Sequence, residues 1–187
     1  MTPIALTIAG SDSGGGAGIQ ADLKTFSALG VYGASVVTAL TAQNTKGVSA
    51  IHDVPAQFVA AQMDAVFSDL DVGAVKIGMV SQRPVIEAIA AGLERWRQDK
   101  IVLDPVMIAA SGDKLLAADA IETLKRALIP RALVLTPNLP EAAALLDAPI
   151  ATTGIETARA IAVRRSTPTA SPASGLVAVR KIGPTPR

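Results

Sequence analysis

The chain has 187 residues, of which 50% are hydrophobic and 3% aromatic, and its formal net charge is +1. With so few aromatic residues, Ala, Val, Leu and Ile must form the core, which favours helices layered on a buried parallel sheet. The near-neutral charge argues against nucleic acid or an anionic membrane as the main partner, and the absence of cysteine excludes disulfides, thiolate metal sites and cysteine nucleophiles.

Short aliphatic and β-branched runs alternate along the chain with segments of helical period. The predicted strands, in chain order, are Ile4–Ala9, 31–40, Ala74–Ile77, Ile101–Leu103 and 132–135. The predicted helices are 17–29, one that begins near Pro55, one that begins at Ser81, 116–128 and 140–146. This alternation implies right-handed crossovers and a mainly parallel sheet, so the sequence predicts one α/β domain.

Polar residues directly follow four of the predicted strands. These segments are Gly10-Ser11-Asp12, Gly78-Met79, Asp104-Pro105 and Thr136-Pro137-Asn138. The carboxyl ends of parallel strands open on one crevice, where ligands bind in open α/β folds. The sequence therefore predicts a binding site at this end of the sheet.

A glycine-rich segment, residues 14–18, lies between the first strand and the first helix. It can let backbone N–H groups approach a bound substrate near a helix N-terminus, and a flexible strand-to-helix turn is an equally good interpretation. Position 19 is Ile, so the last glycine of a dinucleotide-binding loop is lacking, and no glycine precedes Lys24 as a Walker A loop requires. Two familiar classes of nucleotide-binding site are therefore excluded.

Asn138 and Glu141 lie three residues apart at the predicted start of a helix. Taken alone, the pair is best interpreted as a variant of the capping box. A carboxylate and an amide at a strand-end crevice can also organise Mg²⁺ and phosphate. Both interpretations hold if the start of the helix faces the site.

Other polar residues stand among apolar neighbours. Asp104 follows an apolar strand, and a buried carboxylate must be paired, hydrogen-bonded or metal-bound, although a turn-initiating Asp is the alternative. Gln43 can donate to and accept from a heterocycle, and both it and Asp22 can instead cap a turn. A salt bridge suffices to explain Lys76 in mid-strand, and His52, the single histidine, is expected on the surface.

Together these motifs resemble the bacterial thiamine-biosynthesis kinases that phosphorylate hydroxymethylpyrimidine and its monophosphate, which have a ribokinase-like fold. The resemblance covers roughly the first 150 residues, and the ordered set of motifs is specific. The segments that carry it are 9–25, 38–45, 76–79, 103–107, 111–113 and 135–142. It implies a three-layer α/β/α domain over residues 1–162, ATP as co-substrate, Mg²⁺ as cofactor, and a homodimer.

The resemblance also implies roles for individual residues. The residues expected around the pyrimidine are Gly10, Asp22, Gln43, Met79 and Val106. Those expected at the nucleotide are Asp104 and Glu141, which would organise its Mg²⁺, and Asn138 near its phosphates. The family reaction moves the γ-phosphoryl group of ATP to the primary hydroxyl of the pyrimidine, and it depends mainly on positioning and charge neutralisation.

The sequence departs from the family pattern after about residue 162. The family continues to a Gly-Thr-Gly-Cys loop that carries its catalytic cysteine, whereas these 187 residues contain no cysteine. The resemblance therefore implies a truncated chain without a catalytic residue, a sheet that lacks its C-terminal strands, and impaired turnover. Residues 163–187 are basic and rich in proline, with a strand-like run only at 176–179, so we expect a poorly ordered, solvated tail there.

Membrane segments are not expected. Met1-Thr2-Pro3 leads into a short apolar run with no basic region and no cleavage site, so no secretory signal is predicted. Residues 25–45 are uncharged over 21 residues, about the length that spans a bilayer, but they include Ser27, Thr41, Gln43 and Asn44 and are too polar to face lipid. We therefore expect a cytoplasmic protein.

Three functions remain open. The leading one is ATP-dependent phosphorylation of 4-amino-5-hydroxymethyl-2-methylpyrimidine and its monophosphate. The others are a pyridoxal-type kinase on the same scaffold and a pyrimidine-binding protein without turnover. Gln43 and the segment 38–45 favour the aminopyrimidine. A nucleic-acid role is least favoured, because the basic tail has no interleaved aromatic residues.

Overall fold

The computed structural model describes residues 1–107 and 118–147, together with the backbone of residues 176–177. Its strands are β1 (Ile4–Ala9), β2 (Tyr32–Val37), β3 (Ala39–Asn44), β4 (Gly47–Asp53), β5 (Ala74–Ile77), β6 (Ile101–Leu103), β7 (Val134–Leu135) and β8 (Leu176–Val177). Its helices are α1 (Gly18–Ala28), α2 (Ala56–Phe67), α3 (Arg83–Arg95), α4 (Ala118–Ala127) and α5 (Leu139–Leu146), with a short 3₁₀ turn at Ile129–Arg131.

Six strands form one sheet in the order β2-β1-β5-β6-β7-β8. Every pair in it is parallel, which confirms the predicted mainly parallel sheet. The chain first builds outward from β1 to β2 and then continues on the other side of β1 with β5. The topological switch point, where open α/β sheets bind ligands, therefore lies between the carboxyl ends of β1 and β5.

The core lies on both faces of this sheet. Leu6 and Ile8 of β1 are fully buried, and Thr7 between them is also fully buried but points to the opposite face, toward α1. Burial on both faces explains why the strands read as continuous apolar runs. Helices α2 and α3 pack against each other and bury the apolar residues Val59, Met63, Ile86, Ile89 and Leu93.

The predicted strand 31–40 is in fact two strands, β2 and β3. The chain leaves the sheet at Thr38, whose N–H still donates to Ala9 O (2.9 Å) while its hydroxyl donates to Met79 O (2.7 Å). Beyond it, β3 pairs antiparallel with β4, with a register shift between Ala42 and Gln43. This hairpin was missed because β4 is largely exposed and lacks a clear apolar alternation.

The remaining predictions agree with the structure to within a few residues. Three predicted strands, β1, β5 and β6, have the predicted bounds, and the strand predicted at 132–135 is shorter. Within the predicted run 176–179, Leu176–Val177 pairs parallel with β7 as the sixth strand. Residues 111–113, the start of the helix predicted at 116, and the order of the rest of 163–187 lie outside the described residues.

The open edge of β2 is occupied at Val37 by a side chain from α2. The Gln62 amide accepts a hydrogen bond from Val37 N (2.9 Å) and donates one to Val37 O (3.0 Å).

Among the residues that the structure describes, no helix combines the length and the apolar character needed to cross a membrane.

A carboxylate joins α2 to the end of α3. Asp64 accepts a hydrogen bond from the Trp96 indole N–H (2.8 Å) and pairs with the Arg95 guanidinium (2.8 Å). The Trp96 ring stacks on Phe67 with centroids 5.9 Å apart. The Trp96 hydrogen bond, together with the charge and hydrogen bond of Arg95, outweighs desolvation and lowers the pKa of Asp64 below its ordinary value of 3.8.

We predict that the hydrogen bond between Asp64 and Trp96 makes a pH-dependent contribution to the free energy of unfolding. Because the folded-state pKa of Asp64 is lowered, its stabilisation is present above the ordinary value of 3.8 and is lost as the pH falls through the folded value. Trp96→Phe removes the N–H donor and retains a ring for stacking. Urea unfolding should show the variant less stable than the wild type at pH 7, with a smaller difference at pH 3. A difference that does not change with pH would contradict this.

Candidate active site

The candidate site lies at the switch point between β1 and β5. Gly10 directly follows β1, and Met79 follows β5 by two residues. A Cβ atom at Gly10 would lie 2.5 Å from Met79 Cε, so the thioether occupies the space that a larger residue would need. The structure therefore brings together two of the residues predicted to surround the pyrimidine.

The loop after Gly10 is organised by Asp12. This buried carboxylate accepts hydrogen bonds from the N–H groups of Gly14 (2.8 Å), Gly16 (2.9 Å) and Ala17 (2.8 Å). These N–H groups are therefore bound within the loop and are not directed at a ligand. Sequence reasoning did not assign this role to Asp12, although an Asp placed before a glycine-rich turn is a typical signal for it.

The β3–β4 hairpin lies against this loop and positions Gln43. The Ser13 hydroxyl contacts both Gln43 O (2.7 Å) and Gln43 N (2.8 Å). The Thr41 hydroxyl donates to Ser11 O (2.7 Å) and lies 3.2 Å from Gln43 Oε1. The half-buried Gln43 side chain is thereby placed beside the segment that begins at Gly10.

The side chain of Asp22, on α1, is fixed by two side chains of the underlying sheet. Its Oδ2 atom accepts hydrogen bonds from Thr7 Oγ1 (2.6 Å) and from Lys76 Nζ (2.9 Å). This confirms the predicted salt bridge for Lys76. His52 is exposed on β4, as expected for a surface residue.

The predicted metal ligands lie at the ends of the neighbouring strands β6 and β7. Asp104 is buried, and its backbone N–H donates to Ile77 O (2.8 Å), which fixes it beside the end of β5. Val106 follows it and is half-buried. Thr136 N donates to Leu103 O (3.0 Å), so the segment after β7 begins next to Asp104.

Asn138 and Glu141 form a capping box at the start of α5. Glu141 N donates to Asn138 Oδ1 (2.8 Å), and Asn138 N donates to Glu141 Oε2 (2.7 Å). Both side chains are buried. The structural interpretation of the pair is therefore confirmed, and the start of this helix lies at the same end of the sheet as Asp104.

A parallel α/β sheet with its polar residues gathered at the carboxyl ends is the arrangement of the ribokinase-like small-molecule kinases. The family model described as phosphomethylpyrimidine kinase matches residues 12–168. The chain belongs to this family, which confirms the resemblance seen in the sequence motifs.

Individual relatives agree. The hydroxymethylpyrimidine/phosphomethylpyrimidine kinase of Rhizobium meliloti (strain 1021) is 67% identical over 159 residues, covering 85% of this chain and 59% of that protein. The crystal structure of phosphomethylpyrimidine kinase from Clostridium difficile 630 has a TM-score of 0.82 at 45% identity, covering 95% of this chain and 74% of that chain. The pyridoxal kinase from Staphylococcus aureus in complex with AMP-PCP has a TM-score of 0.79 at 31% identity, covering 96% and 63%.

The chain is shorter than these relatives. It spans 59% of the Rhizobium meliloti protein and 56% of the proteins from Escherichia coli (strain K12) and Salmonella typhimurium.

Two glycines, one at the start of α1 and one just after its end, differ in the space around them. Gly18 (φ +55) and Gly30 (φ +71) both have left-handed backbones, but a Cβ at Gly18 would overlap Gly10 O, whereas a Cβ at Gly30 meets nothing within 4 Å. Gly30→Ala should therefore cost about 1–2 kcal/mol from backbone strain alone. Gly18→Ala should cost at least about 3 kcal/mol, because the loop must also move. Urea unfolding measures both, and equal losses would contradict the predicted overlap.

Proposed function

We propose that this family member acts in thiamine biosynthesis by transferring the γ-phosphoryl group of ATP to 4-amino-5-hydroxymethyl-2-methylpyrimidine and to its monophosphate. In the first transfer the hydroxymethyl oxygen attacks the γ-phosphorus, the bond to ADP breaks, and the hydroxyl proton passes to water. In the second transfer a phosphate oxygen of the monophosphate attacks the γ-phosphorus of another ATP, ADP leaves, and the diphosphate forms. The observation that supports the proposal is the contact of Gly10 with Met79 at the carboxyl ends of β1 and β5, beside the segment that holds Gln43, in a chain 67% identical to a hydroxymethylpyrimidine/phosphomethylpyrimidine kinase.

The pyrimidine is assigned to the crevice between β1 and β5. A flat heterocycle requires apolar walls and a few polar groups at its edge. Met79 and Val106 offer the apolar contacts, and the backbone at Gly10 allows close approach. Asp22 can accept hydrogen bonds from the ring substituents, and Gln43 can both donate and accept.

Mg²⁺ and the nucleotide are assigned to the ends of β6 and β7. Mg²⁺ prefers oxygen ligands and is usually bound by one or two carboxylates together with substrate phosphates and water. Asp104 and Glu141 provide two carboxylates at neighbouring strand ends, and Asn138 provides an amide next to them. No cluster of three or more potential ligands occurs within the described part of the chain, so most ligands would come from the phosphates and water. When bound, the ion would neutralise charge on the transferred group.

Turnover by these 187 residues should be weak. They contain no cysteine, so the Gly-Thr-Gly-Cys loop that the family resemblance implies is not among them. Loss of an oxyanion-type donor costs roughly 10²–10³ in rate, and loss of a general base costs roughly 10²–10⁴. A cytoplasmic location and a homodimer are proposed on the family resemblance alone.

A second candidate is phosphorylation of pyridoxal. The Staphylococcus aureus pyridoxal kinase has a TM-score of 0.79 against this chain, which supports a shared scaffold. Among the solved structures, the higher identity to phosphomethylpyrimidine kinase, 45% against 31% for this pyridoxal kinase, favours the pyrimidine. A binding protein without turnover is the outcome expected if the proposed pyrimidine site is intact and transfer fails completely.

The proposed function is tested by binding and turnover on the purified chain. Isothermal titration should detect the hydroxymethylpyrimidine with higher affinity than pyridoxal. Mass spectrometry should show phosphorylated product at a rate at least roughly 10²-fold below that of a full-length relative. Asp104→Ala, confirmed as folded by circular dichroism, should abolish the remaining product.

The outcomes separate the alternatives. Folded protein that binds no pyrimidine would contradict the assigned pyrimidine site, and tighter binding of pyridoxal would favour the second candidate. Turnover at the rate of the full-length relative would contradict the predicted impairment.

Glu141→Gln separates capping from metal binding. Gln can replace Glu in a capping box, so the free energy of unfolding should change by less than about 1 kcal/mol. The lost charge should weaken Mg²⁺·ATP binding, measured by titration calorimetry, by about tenfold or more. Asn138→Ala is the stability control, since it breaks the cap and should cost about 0.5–2 kcal/mol. Unchanged Mg²⁺·ATP affinity in Glu141→Gln would refute a role at the metal.

A further inference from the structure

The strands β1 and β5 carry two polar side chains beneath the proposed pyrimidine site. Thr7 and Lys76 are direct partners in the parallel register of these strands. Both point to the face that α1 covers, and both donate to Asp22 Oδ2, at 2.6 Å and 2.9 Å. Within the described residues both contacts go to this one oxygen, and none goes to Asp22 Oδ1.

Lys76 extends toward the carboxyl end of the sheet. A Cβ at Gly78, two residues further along β5, would lie 2.9 Å from Lys76 Nζ and 2.9 Å from Ala9 Cβ. The ammonium group therefore lies at the level of Gly78, immediately before Met79. The ammonium end of the charge pair therefore lies toward the carboxyl end of β5, the end at which the pyrimidine site is proposed.

The ion pair between Lys76 and Asp22 is largely shielded from solvent. The side chains of Lys76 and Asp22 are 22% and 17% exposed, and Thr7 is fully buried. Removal of one member of a buried ion pair leaves an uncompensated charge. The two donors restrain the carboxylate through Oδ2, and Asp22 Oδ1 accepts no hydrogen bond from the described residues, so it can accept one from a ligand.

We propose that Lys76 and Thr7 are positioning residues that fix Asp22 as the acceptor for the exocyclic amino group of the substrate. A carboxylate accepts hydrogen bonds and donates none, so it selects a ring that offers N–H at this point. The cluster would thereby determine preference for an aminopyrimidine alcohol over an alcohol that lacks the amino group. This inference rests on the proposed function.

The test compares two ligands by isothermal titration: 4-amino-5-hydroxymethyl-2-methylpyrimidine and 5-hydroxymethyl-2-methylpyrimidine, which lacks the amino group. The wild-type chain should prefer the amino compound by about tenfold or more, as expected for a hydrogen bond to a charged group. Lys76→Met should remove most of that preference, and so should Thr7→Val. Thr7→Ser retains the hydroxyl and should keep the preference.

A double variant tests whether Lys76 acts through Asp22. In an Asp22→Asn background, Lys76→Met should cause no further loss of affinity for the amino compound, because the group that it positions has already been changed. Additive losses would show that Lys76 contacts the ligand by another route and would overturn the proposal. If Lys76→Met does not fold, the Thr7→Val and Thr7→Ser pair decides the question.

A purely structural role gives a different result. It predicts that Lys76→Met lowers the affinity for both ligands by the same factor, and this outcome overturns the proposal while leaving the proposed function intact. A wild-type chain that is folded and binds neither ligand contradicts the proposed function itself and the inference with it. A wild-type chain that binds both equally overturns the inference alone.

Discussion

The parallel pairing of β1 with β5 is the constraint on which the site depends. Its register sets Thr7 opposite Lys76 and carries the two strands to the same level, so that Gly10 and Met79 come into contact above them. Because β1 is an inner strand flanked by β2 and β5, the segment after it leaves the sheet beside the end of β5. A larger residue at position 10 would therefore require the Met79 side chain to move, and Asp12 fixes the loop that follows.

Three carboxylates at or near the candidate site are restrained before any ligand arrives. Asp12 is bound by three backbone N–H groups, Asp22 by two side chains from the sheet, and Glu141 by the start of its own helix. Restrained groups lose little conformational entropy on binding and need little reorganisation during transfer of a charged group. The same contacts stabilise the fold, so the proposed functional roles of Asp22 and Glu141 fall on residues that also have a structural role.

The sequence predicts correctly those features that depend on residues close together in the chain. The aliphatic runs predicted the parallel strands, and the spacing of Asn138 and Glu141 predicted the capping box. Sequence reasoning missed the β3–β4 hairpin, because β4 is largely exposed and has no clear apolar alternation. At the break between β2 and β3, the Thr38 hydroxyl donates to Met79 O, 41 residues away, a contact that no local pattern predicts. The sequence predicted a salt bridge for Lys76 but not its partner, Asp22, which is brought to Lys76 by the packing of α1 on the sheet. The contacts that assemble the site join residues far apart in the chain, and a single sequence contains no direct signal for such contacts.

The amide of Gln62 has a consequence for association between molecules. An outer strand of a sheet offers unpaired N–H and C=O groups on which another chain can pair. At Val37, a side chain of the same protein already fills both positions as a neighbouring strand would. A strand from another molecule would have to displace Gln62 to continue along β2. Gln62 thus opposes intermolecular strand pairing at the carboxyl end of β2 without adding a strand to the fold.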